Sequence, residues 1–175
     1  MIDLKRTLYF EGKITSESVK KVTEDLFSLL KQDKRAPIFL MINSSGGKGP
    51  AAFAFYDTVK LLHADITTIG IGRIASMGLI LFLSGKERLV TPNTTFFTHE
   101  FTRSSEKGYT FKLSEIKTII KEMELSSDSY VHIVAEKSNG TLTVKDVHTM
   151  MHDERVINSH ESINIGLATG FAMNE

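Results

Sequence analysis

Three stretches of the chain put residues capable of chemistry at the point where a strand gives way to a turn. The first is Gly70-Ile71-Gly72-Arg73-Ile74-Ala75-Ser76-Met77-Gly78. Here a serine between small residues sits where an apolar run is expected to turn into a helix. A hydroxyl there stands at a helix N-terminus, where free N–H groups and the dipole stabilise a developing anion. Ala75 and Gly78 leave room for a substrate backbone. The same pattern also reads as an ordinary Ser N-cap. The second stretch is Ile42-Asn43-Ser44-Ser45-Gly46-Gly47-Lys48-Gly49. Its paired glycines permit positive φ and close backbone approach, as an oxyanion donor or anion cradle requires. A purely structural tight turn fits it too, and the P-loop spacing is absent. The third is His99, at the end of the apolar run Phe96-Phe97-Thr98.

A serine, a histidine and a Gly-Gly donor loop are the parts of acyl-transfer chemistry. With no Cys in the chain, thiolate nucleophiles, disulfides and Cys-ligated zinc are excluded. The other histidines are His63, His132, His148, His152 and His160; none forms an H-E-x-x-H pattern. His148 and His152 are spaced i, i+4, but no carboxylate pattern completes a site, so neither a metal nor an organic cofactor is expected. Lys plus Arg and Asp plus Glu both total 21, a neutral balance that argues against a general nucleic-acid binder. No run approaches the roughly 20 apolar residues of a membrane span, and no secretory signal opens the chain. A soluble cytoplasmic protein is expected.

The elements that must position these residues alternate. Strands are expected at 7–10, 38–42, 66–71, 88–90 and 95–98, with 38–42 buried on both faces and 43–49 a polar loop. Helices are expected at 16–30, from Pro50 to about 62, from Ala75 to about 84, from near Thr110 toward Lys137, at 144–151 and at 159–165. Asn158 is the expected N-cap of the last, and Gly166 its stop. With 175 residues and ordinary globular usage, this pattern specifies one α/β domain with a mostly parallel sheet.

Taken together, Tyr9-Phe10-Glu11-Gly12, Ile42-Asn43-Ser44-Ser45-Gly46-Gly47, Tyr56-Asp57-Thr58, Ala75-Ser76-Met77-Gly78, Pro92-Asn93 and Thr98-His99 resemble the proteolytic subunit family of Clp protease. The motifs occur in family order from about Arg6 to Ala168. The resemblance implies the Clp-protease/crotonase fold: a superhelix of repeated β-β-α and βαβ units, with a protruding handle helix over about 102–139 of a single 1–175 domain. It implies a serine endopeptidase acting on small or unfolded polypeptides, with Ser76 as nucleophile and His99 as general base. The backbone N–H groups of Gly47 and Met77 would form the oxyanion hole, and Gly46, Phe101 and Thr102 would contact substrate. Counting back from Gly166 puts the third member at Glu154; counting forward from Gly140 puts it at Asp153. Arg155 and Val156 follow Glu154 in family fashion and favour it.

The resemblance also implies a homo-oligomeric ring, a heptamer or stacked rings, with peptides as substrates. The family's axial gate precedes its first strand, whereas here the sequence given starts almost at that strand. A gate is therefore not expected, and a Clp ATPase partner is left in question. In place of the family's Pro and its Gly-rich substrate-aligning strand stand Glu100-Phe101 and Thr102-Arg103-Ser104-Ser105-Glu106-Lys107-Gly108. Two other readings of the same residues are a non-catalytic ring subunit and a crotonase-type acyl-CoA enzyme. The latter needs carboxylates near the Gly-Gly loop, and residues 44–55 carry none.

Overall fold

The alternating pattern becomes a sheet flanked by helices in a computed structural model that describes residues 2–103 and 110–173. In chain order come β1 (Thr7–Ile14), α1 (Ser16–Gln32), β2 (Ile38–Gly47), α2 (Gly49–Leu62) and β3 (Ile66–Ala75). Then follow α3 (Gly78–Leu83), β4 (Glu87–Val90), β5 (Thr95–Phe97), α4 (Leu113–Lys137), α5 (Val144–His152), β6 (Val156–Asn158), α6 (Ser159–Asn164) and β7 (Gly170–Phe171). The main path β1-β2-β3-β4-β7 is parallel throughout. The expected mixed α/β class with a mostly parallel sheet is what forms.

Helix α1 shows why these residues make these elements. Thr15 and Ser18 form a reciprocal cap: the Ser18 N–H donates to Thr15 Oγ1 and the Thr15 N–H to Ser18 Oγ. Val19, Val22, Leu26 and Leu29 then fall on one buried stripe. Removing four such side chains from water contributes roughly 6–12 kcal/mol before conformational entropy is charged against it. Helix α6 follows its sequence signature, with Asn158 Oδ1 accepting the Glu161 N–H.

The structure departs from the sequence pattern in informative places. Strand β2 is not buried on both faces: Ile38, Leu40 and Ile42 are buried while Phe39 and Met41 are half-buried. It also runs through the expected polar loop as far as Gly47, and β3 runs on to Ala75. Helix α3 therefore starts at Gly78 with Met77 as N-cap, so Ser76 is not the cap residue. Helix α4 starts at Leu113 rather than Thr110. In its first half Leu113, Ile116, Ile120 and Leu125 are exposed; Tyr130, Val131 and Val134 in its second half are buried. Strands β6 and β7, of three and two residues, escaped the sequence pattern altogether.

One buried cation ties the late elements to the sheet. Arg88 on β4 is only 4% exposed. Its Nε donates to the Leu167 carbonyl at 2.8 Å, and its Nη2 to those of Lys137 and Gly166 at 3.1 and 3.2 Å. The Lys137 carbonyl belongs to the C-terminal turn of α4, the negative end of a helix dipole, which compensates a guanidinium that has no carboxylate partner among the described residues. No described helix is long and apolar enough to cross a membrane.

Candidate active site

The sheet forks at β3. Its first half pairs with β4 as far as Gly70 and Val90; its second half, Arg73 to Ala75, pairs with β5. Such switches open a crevice beyond the carboxyl ends of the strands, where ligands bind in open α/β sheets. Ser76 is the first residue after the fork, and His99 lies two residues beyond the end of β5.

Ser76 adopts φ +51°, a left-handed conformation costing a non-Gly residue about 1–2 kcal/mol. Its N–H donates to the Phe97 carbonyl at 2.8 Å and its carbonyl accepts from Leu79 at 3.0 Å. Strand β5 and the first turn of α3 thus hold the strained peptide from both sides. Gly46 makes the conformation possible. A Cβ there would lie 2.7 Å from Ser76 Cβ and 2.8 Å from the Ala75 carbonyl oxygen. Expected to contact substrate, Gly46 is buried against Ser76, and only Gly47 of the pair lines the cleft.

That cleft has a volume of about 680 Å³ and brings together Gly47, Ser76, Met77, His99, Phe101 and Thr102, all expected from sequence. Met77 is the N-cap of α3, and in the first turn the Leu79 and Ile80 N–H groups donate to the Ser76 and Met77 carbonyls at 3.0 and 3.1 Å. His99 Nδ1 lies 2.6 Å from the Glu100 carbonyl oxygen, a contact that places the proton on Nδ1 and leaves Nε2 as the acceptor. The ring stacks on Phe97 at 5.5 Å, and the Arg73 guanidinium covers Phe97 at 5.2 Å. Aromatic packing therefore fixes the imidazole plane.

Neither candidate acid lines this cleft. Asp153 lines a separate one with Thr141, Asp146, Thr149 and Arg155. Glu154 is exposed and has φ +50°. The backbone separates the two. Strand β6 pairs antiparallel with β5, Phe97 opposite Val156, and the Thr98 N–H continues the ladder to the Arg155 carbonyl. Beyond that bond the chain turns: Glu154 has a left-handed backbone and its N–H bonds the Met151 carbonyl, while Asp153 is the C-cap of α5. Beside them the Glu100 carboxylate pairs with His152 Nδ1 at 3.3 Å, and Arg155 pairs with Glu161.

The far wall comes from α4: Ile119, Glu122, Met123, Leu125 and Ser126. Sequence reasoning missed these as cleft residues, because i, i+3, i+4 apolar spacing reads as a core stripe whichever surface it faces. Lys48, whose Nζ donates to Ser16 Oγ at 2.8 Å, and Pro50 were missed as well. Behind Phe101 stands Tyr130, edge-on at 5.8 Å, its phenol pushed up by complete burial. The expected substrate-aligning segment after Thr102 falls largely on residues 104–109, outside the described residues. Among the described residues no cluster of three His, Asp or Glu could hold a metal ion.

The Clp protease family model matches residues 1–175. The chain is 30% identical over 171 residues to ATP-dependent Clp protease proteolytic subunit 2 of Treponema denticola, covering 97% of this chain and 82% of that protein. It is 28% identical over 163 residues to ATP-dependent Clp protease proteolytic subunit 1 of Leifsonia xyli subsp. xyli, covering 92% and 80%. To the ATP-dependent Clp protease proteolytic subunit of Ligilactobacillus salivarius it is 26% identical over 175 residues, covering 97% and 84%. With a family match over its whole length and a fold that carries a strained serine and a histidine into one cleft, this chain belongs to the Clp protease family.

Proposed function

We propose that the chain is a serine endopeptidase that cleaves small or unfolded polypeptides through an acyl-enzyme. Ser76 Oγ attacks the scissile carbonyl while His99 Nε2 takes its proton. The tetrahedral oxyanion is held by the N–H groups of Gly47 and Met77. His99 returns the proton to the leaving amine, and a water activated by the same nitrogen hydrolyses the ester. The observation that carries this reading is the shared cleft, in which Ser76 in a left-handed conformation, Gly47, Met77 and His99 form adjoining walls. No cofactor is needed. A ring of copies with residues 102–139 as handle, peptides as substrates and a single domain over 1–175 belong to the same proposal. Labelling of intact protein by a fluorophosphonate, with mass-spectrometric location of the adduct at Ser76, tests it. An assembled protein that neither labels nor hydrolyses peptides overturns it.

The third member in this reading is Glu154, supported by Arg155 and Val156 following it in family fashion and by its place directly before Arg155, whose carbonyl accepts the Thr98 N–H next to His99. To orient the imidazole, its carboxylate must replace the Glu100 carbonyl at Nδ1. Glu154→Gln is therefore expected to lower kcat/KM roughly 10- to 100-fold, and Asp153→Asn to change it less than about twofold. Steady-state kinetics of the two variants checks the assignment, and the reverse ranking would move it to Asp153.

A non-catalytic ring subunit is the second reading, favoured by the contact of His99 Nδ1 with a main-chain carbonyl and by the absence of both acids from the cleft lining. It requires intact assembly with no labelling at Ser76.

A further inference from the structure

The residues Asn43 and Ser44, expected in a loop, sit in β2 where its register breaks on both sides. Against β1, the pairing steps from Glu11↔Asn43 to Lys13↔Gly46, so Gly12 alone faces Ser44 and Ser45. Against β3, it steps from Ile42↔Gly70 to Ser44↔Ile74, so Asn43 alone faces Ile71, Gly72 and Arg73. In each gap a side chain stands in for the missing ladder bond. Asn43 Oδ1 accepts the Arg73 N–H at 3.1 Å. Ser44 Oγ donates to the Gly12 carbonyl at 2.7 Å and accepts the Gly46 N–H at 3.1 Å.

Ser44 is 1% exposed and touches no substrate-facing surface. Its hydroxyl nevertheless controls two things the chemistry needs. It fixes the Gly46 peptide, which leads directly into Gly47, and it holds Gly46 at the close approach on which the Ser76 conformation depends. The same residue also abuts the first turn of α3: a Cβ on Gly78 would lie 3.2 Å from both Ser44 Cβ and the Ser44 carbonyl oxygen. We infer that Ser44 is a positioning residue, whose buried hydroxyl links the β1 bulge to the oxyanion loop and so sets the distance between the Gly47 donor and Ser76 Oγ. This rests on the serine peptidase reading.

Removing the hydroxyl leaves the buried Gly46 N–H and the part-buried Gly12 carbonyl without this partner, and the loop relaxes to find others. A displacement near 1 Å costs about 100-fold in an oriented reaction, and loss of one oxyanion donor costs about 100- to 1,000-fold. Because the ground-state amide gains little from the oxyanion donors, the loss falls on kcat.

The test compares Ser44→Ala with Ser162→Ala, which removes an equally buried hydroxyl bonded to the Ser159 carbonyl on α6, away from the cleft. The expected result is a fall in kcat of about 30- to 300-fold for Ser44→Ala, with KM within about twofold and fluorophosphonate labelling slowed in parallel. Ser162→Ala keeps kcat within about threefold. Equal kcat in the two variants, or a loss carried by KM, overturns the inference. Amide hydrogen exchange at Gly46 gives a second reading that does not depend on Ser44→Ala folding. In the unmodified protein this amide is expected to be protected as well as those of the β2 core, and free exchange there overturns the inference. Absence of labelling in the unmodified protein counts against the peptidase reading alone, since the exchange measurement stands without it.

Discussion

Ser76→Ala is expected to abolish fluorophosphonate labelling and to lower kcat/KM for peptide hydrolysis by about 10⁴-fold or more, leaving the fold intact. No thiol can replace Ser76, since the chain has no Cys, and the neighbouring buried Ser44 hydroxyl is already bonded to Gly12. What remains is the stabilisation supplied by the oxyanion donors and by binding. Stability should separate from activity at this position. At φ +51° an alanine is as strained as the serine, so its melting temperature is expected to stay within a few degrees. Ser76→Gly removes the Cβ that makes the conformation costly and should gain about 1 kcal/mol while remaining inactive. Thermal melts run beside the labelling assay read both effects. Activity surviving in Ser76→Ala would assign the chemistry to another residue.

Gly46→Ala is expected to cost about 10³-fold in kcat/KM although residue 46 does not line the cleft. The new methyl would meet Ser76 Cβ at 2.7 Å, the Ala75 carbonyl oxygen at 2.8 Å and the Met77 nitrogen at 3.1 Å. Two of these are backbone atoms and cannot swing aside, and φ +88° adds strain of its own. The least costly relaxation pushes the Ser76–Met77 peptide away from Gly47, separating nucleophile from oxyanion donor, where each ångström costs about 100-fold. Stability should fall by about 2–4 kcal/mol. Activity retained within tenfold in a folded Gly46→Ala protein would show that the loop yields at Gly46 instead.

Ser76 and His99 were legible because each closes an apolar run that becomes a strand, and strands of a parallel sheet deliver their carboxyl ends to one side. The fork itself was not legible. Nothing in Gly70-Ile71-Gly72-Arg73 says that β3 changes partner there, since the buried residues on either side, Ile69 and Gly70 before it and Ile74 and Ala75 after it, read alike in one dimension. The same blindness to partners turned Asn43 and Ser44 into a loop: polar side chains that complete a broken ladder look, in one dimension, like residues avoiding one. The choice between Glu154 and Asp153 stayed open because counts from Gly140 and from Gly166 disagree, and neither residue lines the cleft. Helix α4 was found by its periodicity, but periodicity names a stripe and not what the stripe faces. Its Ile119 and Met123 turned out to wall a cleft.

The guanidinium of Arg88 has a consequence for how the chain is made. Its carbonyl partners at Lys137, Gly166 and Leu167 lie 49, 78 and 79 positions further along. During vectorial synthesis, β4 therefore leaves the ribosome carrying a charge destined for the interior with only the Lys86 carbonyl, at 3.4 Å, of its acceptors already made. Docking β4 against β3 at that stage would bury the cation with that one acceptor, so the edge should stay open until the last helix arrives. In refolding, pulse-labelled hydrogen exchange is expected to protect the amides of β1, β2 and β3 before those of β4, and β4 together with Leu167. Protection of β4 ahead of residues 166–168 would show that water serves the guanidinium in the meantime. Arg88 would thus act as a checkpoint that lets the sheet close only once residues 166 and 167 have been made.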